Sequence, residues 1–508
     1  MSSSQIRACL EEILNFMQPH WEFVNCHMVS YLTEKHWQNY VPAEIRNEVA
    51  DVESVQHCIE TVFWQNDDRD NKYSGVKQFV ANCGKYYLDK NVGVLTTIEQ
   101  LNQAFGLVAD ETENLSIKEF MSEKKRHEVE ITAKLVDRLI HSVARQNIDT
   151  HNYIVDAGDG KGYLSSRLAL QYGYHVLGID FQELNTENAL ERNRKLQRVW
   201  NGLVKRAELQ QQGITSQRRG KSKNLPQSAA PMPETKADSA ENEALYKTTA
   251  AYITPDLNIV QLLQQHFTQA TDTSAICLTG LHTCGNLATT CLRLFHEQPQ
   301  CKLICNIGCC YHLLQEEYAA PEYFANETIS ARQTTPGFPM SQFLRDKHLT
   351  LGRNARMLAT QSLERVISER SAMNISLYYR ALLEVLISES AEELRQKLQV
   401  GKVRKFANFN EYVALCCNKF ATQNCNFRWN AAAVERVQEQ FAADAHYMHL
   451  FYLLRMCFAQ VIESLILLDR LLYLKEMGYA GSHLVAVFDA VISPRRFGII
   501  AVKDAASS

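Results

Sequence analysis

The chain has 508 residues, 46% of them hydrophobic, enough for about two to four domains with sizeable cores. Its 53 basic and 57 acidic side chains leave a net charge of −4, which argues against a uniformly basic nucleic-acid coat and leaves room for a local basic groove. Fifteen cysteines, and an opening "MSSSQIRACLEEILNF" with no cationic stretch ahead of an apolar one, point to reduced thiols in a cytosolic or nuclear protein that is not secreted.

Residues 1–120 read as a helical region. "ACLEEILNFM" and "IEQLNQAFGLV" repeat apolar residues at three- and four-residue spacing, and no chemistry stands out. The stretch "FMSEKKRHEVEITAKLVDRLIHSVARQ" predicts a helix with Ser122 as N-cap and Val129, Ala133, Val136 and Ile140 on one apolar face. Its first turn gathers Lys124, Lys125, Arg126 and His127, the wrong sign for a helix dipole at a cost of a few tenths of a kcal/mol. A solvated basic face explains this most simply; an anionic partner is the sharper reading.

Tyr153 to Arg198 alternates strand, glycine-rich turn, helix, strand and helix, a βαβ unit of a parallel sheet. The turn reads Asp156-Ala157-Gly158-Asp159-Gly160-Lys161-Gly162. Glycines between a strand and a helix allow positive φ and let a ligand approach the backbone and the free N–H groups behind it. Dinucleotides and S-adenosylmethionine (SAM) both fit such a turn. The spacing G-x-G-x-G differs from the dinucleotide fingerprint G-x-G-x-x-G, and no G-K-[ST] makes it a phosphate loop. A carboxylate at Asp156 would repel a pyrophosphate and suit an amine and a sulfonium. Asp180 ends the second strand, 24 residues on, where an acid can hold ribose hydroxyls of either cofactor. A tight turn with no ligand is the plain alternative.

Residues 210–247 are rich in Gln, Ser, Lys and Pro and read as a disordered insert with a basic front half and an acidic back half. Order returns with the helix "PDLNIVQLLQQHF", and "AICLTGLHTCGNLATTCLRLF" and "KLICNIGCCYHLL" then read as strand, loop, helix and strand, loop. Ligand crevices of open α/β sheets lie at strand ends, so His282, Cys284, Cys309, Cys310 and His312 are the candidate catalytic residues. Either histidine suits a general base, and a cysteine is a nucleophile only with a depressed pKa. A zinc site is the rival reading of Cys301, Cys305, Cys309, Cys310 and His312. Two of these lie in or before a strand and no C-x-x-C pair exists, so no structural metal is expected. Residues 339–480 are mostly helical. Their longest apolar run, Val461 to Leu474, is broken by Glu463, Asp469 and Arg470 and is too short for a membrane span. Residues 481–508 hold two apolar strands around Pro494, which must lie outside any ladder.

"SEKKRHEV", "VDAGDGKGYLSSRLA", "GLHTCGNLA", "NIGCCYHLL", "GFPMSQFLR" and "FDAVISPRRFGIIA", in that order, resemble the methyltransferase-like protein 25 family and its close paralogue once labelled a ribosomal RNA adenine dimethylase-domain protein. The resemblance implies a Rossmann-like α/β class I methyltransferase core at residues 121–338, a large helical insertion, and two final strands completing the sheet. It implies SAM as cofactor, bound through Asp156, Gly158, Gly160 and Asp180. Gly162 belongs to the same turn, and Lys125 and His127 stand as contacts to the SAM carboxylate or to an anionic substrate. The His282-x-Cys284-Gly285 and Cys309-Cys310-x-His312 loops also resemble the tRNA 2′-O-methyltransferase of the acceptor stem, although Tyr311 stands where that enzyme has histidine. No Asn-Pro-Pro-Tyr-like motif of N6-adenine methyltransferases is present. The expectation is a SAM-dependent methyltransferase acting on RNA or protein, with RNA favoured; a SAM-fold protein without activity that binds a partner is the alternative.

Overall fold

A computed structural model of the protein describes residues 1–65, 72–90, 93–107, 121–146, 152–211, 245–319, 335–391, 400–425 and 428–503. Most of the insert expected at 210–247 lies outside the described residues. The chain divides into two compact units. One comprises Met1–Leu10, Val92–Leu351 and Ile466–Ser508; the other comprises Glu11–Asn91 and Gly352–Leu465.

The first unit is built on seven strands, β1 (Asn152–Ala157), β2 (His175–Asp180), β3 (Tyr246–Ala250), β4 (Ala275–Cys284), β5 (Cys301–Cys309), β6 (His483–Ala486) and β7 (Phe497–Val502). They lie in the order β3-β2-β1-β4-β5-β7-β6. The first five are parallel, β7 is antiparallel to β5, and β6 is antiparallel to β7. This is the Rossmann-like class I methyltransferase arrangement expected from the resemblance. Pro494 falls between the last two strands. Strands β1, β2, β4 and β5 are near-continuous apolar runs because helices cover both faces of a parallel sheet.

Helix α1 (Glu123–Gln146) begins as expected, with the Lys125 amide donating to Ser122 Oγ at 3.3 Å. Its face of Val129, Ala133, Val136 and Ile140 is buried in one cluster with Ile154, Val176, Leu303 and Ile500 of the sheet. Each valine or isoleucine of this face contributes about 1.5–3 kcal/mol on burial, and the methyl of Ala133 less than about 1 kcal/mol. Helices α2 (Tyr163–Tyr172) and α3 (Glu183–Gln211) follow β1 and β2, α4 (Ile259–His266) precedes β4, and α5 (Asn286–Glu297) packs on β4 and β5. The chain runs from β1 to β2 on one side and later returns to β4 on the other. The reversal opens a crevice outside the carboxyl ends of β1 and β4.

The second unit is helical. Phe23 lies edge-on to Phe451 and Phe458 at 4.9 and 5.7 Å, and Phe16 stacks on Tyr86 at 4.6 Å. Buried Arg455 donates through Nε and Nη2 to the Val24 carbonyl at 3.1 and 2.6 Å, which satisfies a charge that burial would otherwise penalise. Arg455 lies on α6 (Asp444–Glu476), whose residues 444–465 fall in this unit and whose remainder falls in the first. By length and composition α6 is apolar enough to cross a membrane, which the shorter run read from the sequence is not. Yet 89% of its most apolar window is buried inside the protein, as in a core helix.

Candidate functional site

The glycine turn hangs on the end of β2. The amides of Gly158 and Asp159 donate to the Ile179 carbonyl at 2.9 and 3.1 Å, and Gly160 N–H donates to Asp180 Oδ2 at 3.1 Å. Asp180 also accepts from the Gln182 amide and Asn185 Nδ2 at 2.9 and 3.0 Å. Gly158, Gly160 and Gly162 all have positive φ (79°, 59° and 66°). At Gly162 space matters too, since a Cβ would stand 2.4 Å from the Tyr246 hydroxyl.

Asp156, expected to face the cofactor, lies at the end of β1 with its side chain buried. Its carboxyl is buried, accepts from Ser165 Oγ at 3.0 Å and faces Asp159, to which the same hydroxyl lies at 2.7 Å. Burial first, and the Asp159 charge second, push the Asp156 carboxyl well above the usual carboxylate range. Burial raises Asp159 as well, against hydrogen bonds from Tyr246, Ser165 and Asp156. Gly178 of β2 makes room for this pair, because a Cβ there would lie 2.2 Å from Asp159 Oδ2.

At the end of β4, His282 takes a φ of 91° beside a register shift between Leu281 and Thr283. Its Nε2 lies 3.0 Å from Oε2 of fully buried Glu128 on α1. Ser493 Oγ donates to Glu128 Oε1 at 2.7 Å, and Lys124 and Lys125 stand 3.7 and 3.5 Å from the carboxylate. Burial alone would push this carboxyl up; His282, Ser493 and Lys125 outweigh it and hold Glu128 down at about 2. The basic turn therefore faces an acid of its own helix. Sequence reasoning missed Glu128, though a signal existed: it shares a helical stripe with buried Thr132, Leu135 and Leu139, so an acid occupies an apolar-face position. His127 is placed elsewhere, accepting from the Asp489 amide at 3.4 Å beside Phe488.

The sequence separated two thiol-bearing loops; the structure makes them adjacent strand ends, with Cys284 paired to Cys309. The sulfurs of Cys284, Cys309 and Cys310 lie 3.2, 3.3 and 3.6 Å apart. Cys310, in a left-handed conformation, accepts from both other thiols and is held far below the usual thiol range, with the His312 and Arg495 charges adding to the effect. Cys309 is pushed up in return. His312 follows in a short 3₁₀ turn, Tyr311–Leu313, outside this triangle. Cys277, Cys291, Cys301 and Cys305 are buried apolar fillers, as their positions suggested.

A family model described as a methyltransferase domain matches residues 124–317, from the start of α1 to just past β5. The human protein named probable methyltransferase-like protein 25 is 28% identical over 613 aligned positions, covering 98% of this chain and 97% of its own length. Its mouse counterpart, of the same name, is 28% identical over 595, covering 97% and 96%. The chain is thus similar over nearly its whole length to methyltransferase-like protein 25, and its residues 124–317, which carry the glycine turn at the switch point of the sheet, match a methyltransferase domain.

Proposed function

We propose that this methyltransferase domain uses SAM and transfers its methyl group to RNA. The observation that carries the cofactor reading is Asp180 at the tip of β2, bonded to Gly160 of the glycine turn and followed by Phe181, which is 54% exposed. A carboxylate there suits ribose hydroxyls, and an exposed aromatic ring beside it, with Tyr252 6.2 Å away, suits an adenine face. Gly158 and Gly160 leave the backbone open to close approach. These residues fit the cofactor, which supplies a methyl group activated on a positive sulfur.

Alignment of acceptor and donor is most of what a methyltransferase must provide. Glu128 fixes the His282 ring through Nε2, so Nδ1 is the atom left to take a proton from an acceptor hydroxyl or amine. RNA is favoured over protein because Lys124, at the start of α1, and Lys161, in the glycine turn, are exposed. Calorimetry on the full chain should show SAM binding that Asp180→Ala weakens about 10–100-fold, from lost charge-assisted hydrogen bonds. Radiolabel from SAM should enter the RNA fraction of a cell extract with the native chain and not with Asp180→Ala. Label in protein instead would move the acceptor class. Intact SAM binding with no label in either would favour a binding partner without activity, and no SAM binding would end the reading.

A further inference from the structure

We propose that Cys284, Cys309 and Cys310 form a metal site that holds a thiophilic divalent cation, zinc, through three thiolates with a fourth position open. The thiol geometry supports this site independently of the methyl-transfer reading. Separations of 3.2, 3.3 and 3.6 Å are far too long for a disulfide, whose sulfurs bond at about 2.05 Å. They approach the roughly 3.8 Å between thiolates that share a tetrahedral zinc at about 2.3 Å. A cation at that distance from all three would stand about 1 Å off their plane, leaving its outward side for another ligand.

The backbone departs from regular strand geometry to make this triangle. Successive strand residues point to opposite faces, so Cys309 and Cys310 would normally diverge. Cys310 takes φ 48° and ψ 49°, a conformation that costs a non-glycine residue about 1 kcal/mol or more, and its sulfur rejoins that of Cys309. Across the ladder, the irregularity at His282 precedes Cys284, and Gly285 (φ 55°, ψ −126°) then turns the chain into α5 where a Cβ would strike Leu313. No buried filler needs that construction.

The surroundings match a cluster of thiolates. Arg470 and Arg495 lie over the Tyr311 ring at 5.6 and 5.9 Å, and Gly308 leaves room for Arg470, since a Cβ would sit 2.4 Å from its Nη1. Three thiolates around a divalent cation carry a net charge of −1, which these cations offset. Soft sulfur ligands select zinc or copper(I) over harder ions, and the divalent charge and open position favour zinc. Each bound thiol gives up its proton to solvent, and no electron changes hands. Spacing along the chain conceals such a site, because Cys284 comes from a different strand than the Cys309-Cys310 pair.

The full chain, purified under reducing conditions and dialysed against zinc, should hold about one zinc by elemental mass spectrometry. Cobalt(II) substitution should give an intense sulfur-to-cobalt charge-transfer band. Cys284→Ser, at the exposed corner, should lower retained zinc about tenfold or more, while Cys305→Ser within β5 should retain it. Circular dichroism on both variants separates loss of metal from loss of fold; should Cys284→Ser misfold, chelator competition on the native chain gives the same reading. A chain that takes up neither zinc nor cobalt, zinc that survives Cys284→Ser, copper or iron at one per chain, or a disulfide among these three residues would each overturn the assignment.

Discussion

Glu128 and His282 lie 154 residues apart in sequence and meet at 3.0 Å, a buried carboxylate from the first turns of α1 holding an imidazole at the tip of β4. A neutral amide keeps the shape but removes the charge that Lys124, Lys125 and His282 all face. Glu128→Gln should therefore cost about 1–3 kcal/mol, read from hydrogen exchange at the start of α1 and the end of β4. It should also lower methyl transfer at least about tenfold, while SAM affinity at Asp180 changes little. Unaltered exchange together with unaltered turnover would show that the pair neither supports the fold nor orients the ring.

Gly178 illustrates a constraint invisible in backbone angles. Its φ is unremarkable, yet a Cβ would stand 2.2 Å from Asp159 Oδ2 and 2.5 Å from Cγ. Gly173 is the contrast: φ is 72°, but no atom lies within 4 Å of the added carbon. Gly173→Ala should cost only left-handed strain, about 1–2 kcal/mol. Gly178→Ala displaces a buried carboxyl and should cost about 1–3 kcal/mol while also weakening SAM binding. Equal SAM affinities in the two variants would refute the claim that Gly178 sets the turn.

The "GFPMSQFLR" segment is held by one acid. Asp469, on the part of α6 in the sheet unit, accepts from the Met340 amide at 2.7 Å, the Ser341 amide at 2.8 Å and Ser341 Oγ at 2.6 Å. Removing the carboxylate strands three buried donors, so Asp469→Ala should cost about 2–4 kcal/mol, against about 1 kcal/mol for Ser341→Ala. Equal losses in chemical denaturation would place the weight on Ser341 alone.

Much of the sheet was legible because parallel strands buried on both faces read as apolar runs, and the glycine turn and Asp180 mark their ends by residue type. Strand β3 was not. "YKTTA" carries one large apolar residue, and only Tyr246 is buried in a strand that pairs with β2 alone. His282 and Cys284 read as loop residues but close a ten-residue strand, because a local irregularity keeps the ladder running past Gly280. The thiol triangle and the Glu128 contact depend on which strands lie side by side, and local spacing does not encode that.

Asp156 and Asp159 make the stability of the glycine turn depend on pH. Both carboxyls sit above their ordinary range in the folded chain, Asp156 the more so, through burial and their shared site; Asp180 adds repulsion, while Lys125, Tyr246 and Ser165 oppose it. A raised folded pKa means that the native state binds more protons than the unfolded chain. Stability is then greatest at acid pH and declines as pH rises through the folded value. Asp159→Asn removes the like charge and still offers Asp156 a hydrogen-bond donor. Protection of the β1 and β2 amides should fall from pH 5 to pH 8 in the native chain and stay flatter in the variant, the two curves parting by about 1 kcal/mol or more at the upper end. Parallel curves would mean that the two acids do not share a proton, and that Asp156 stands ionised beside the glycine turn after all.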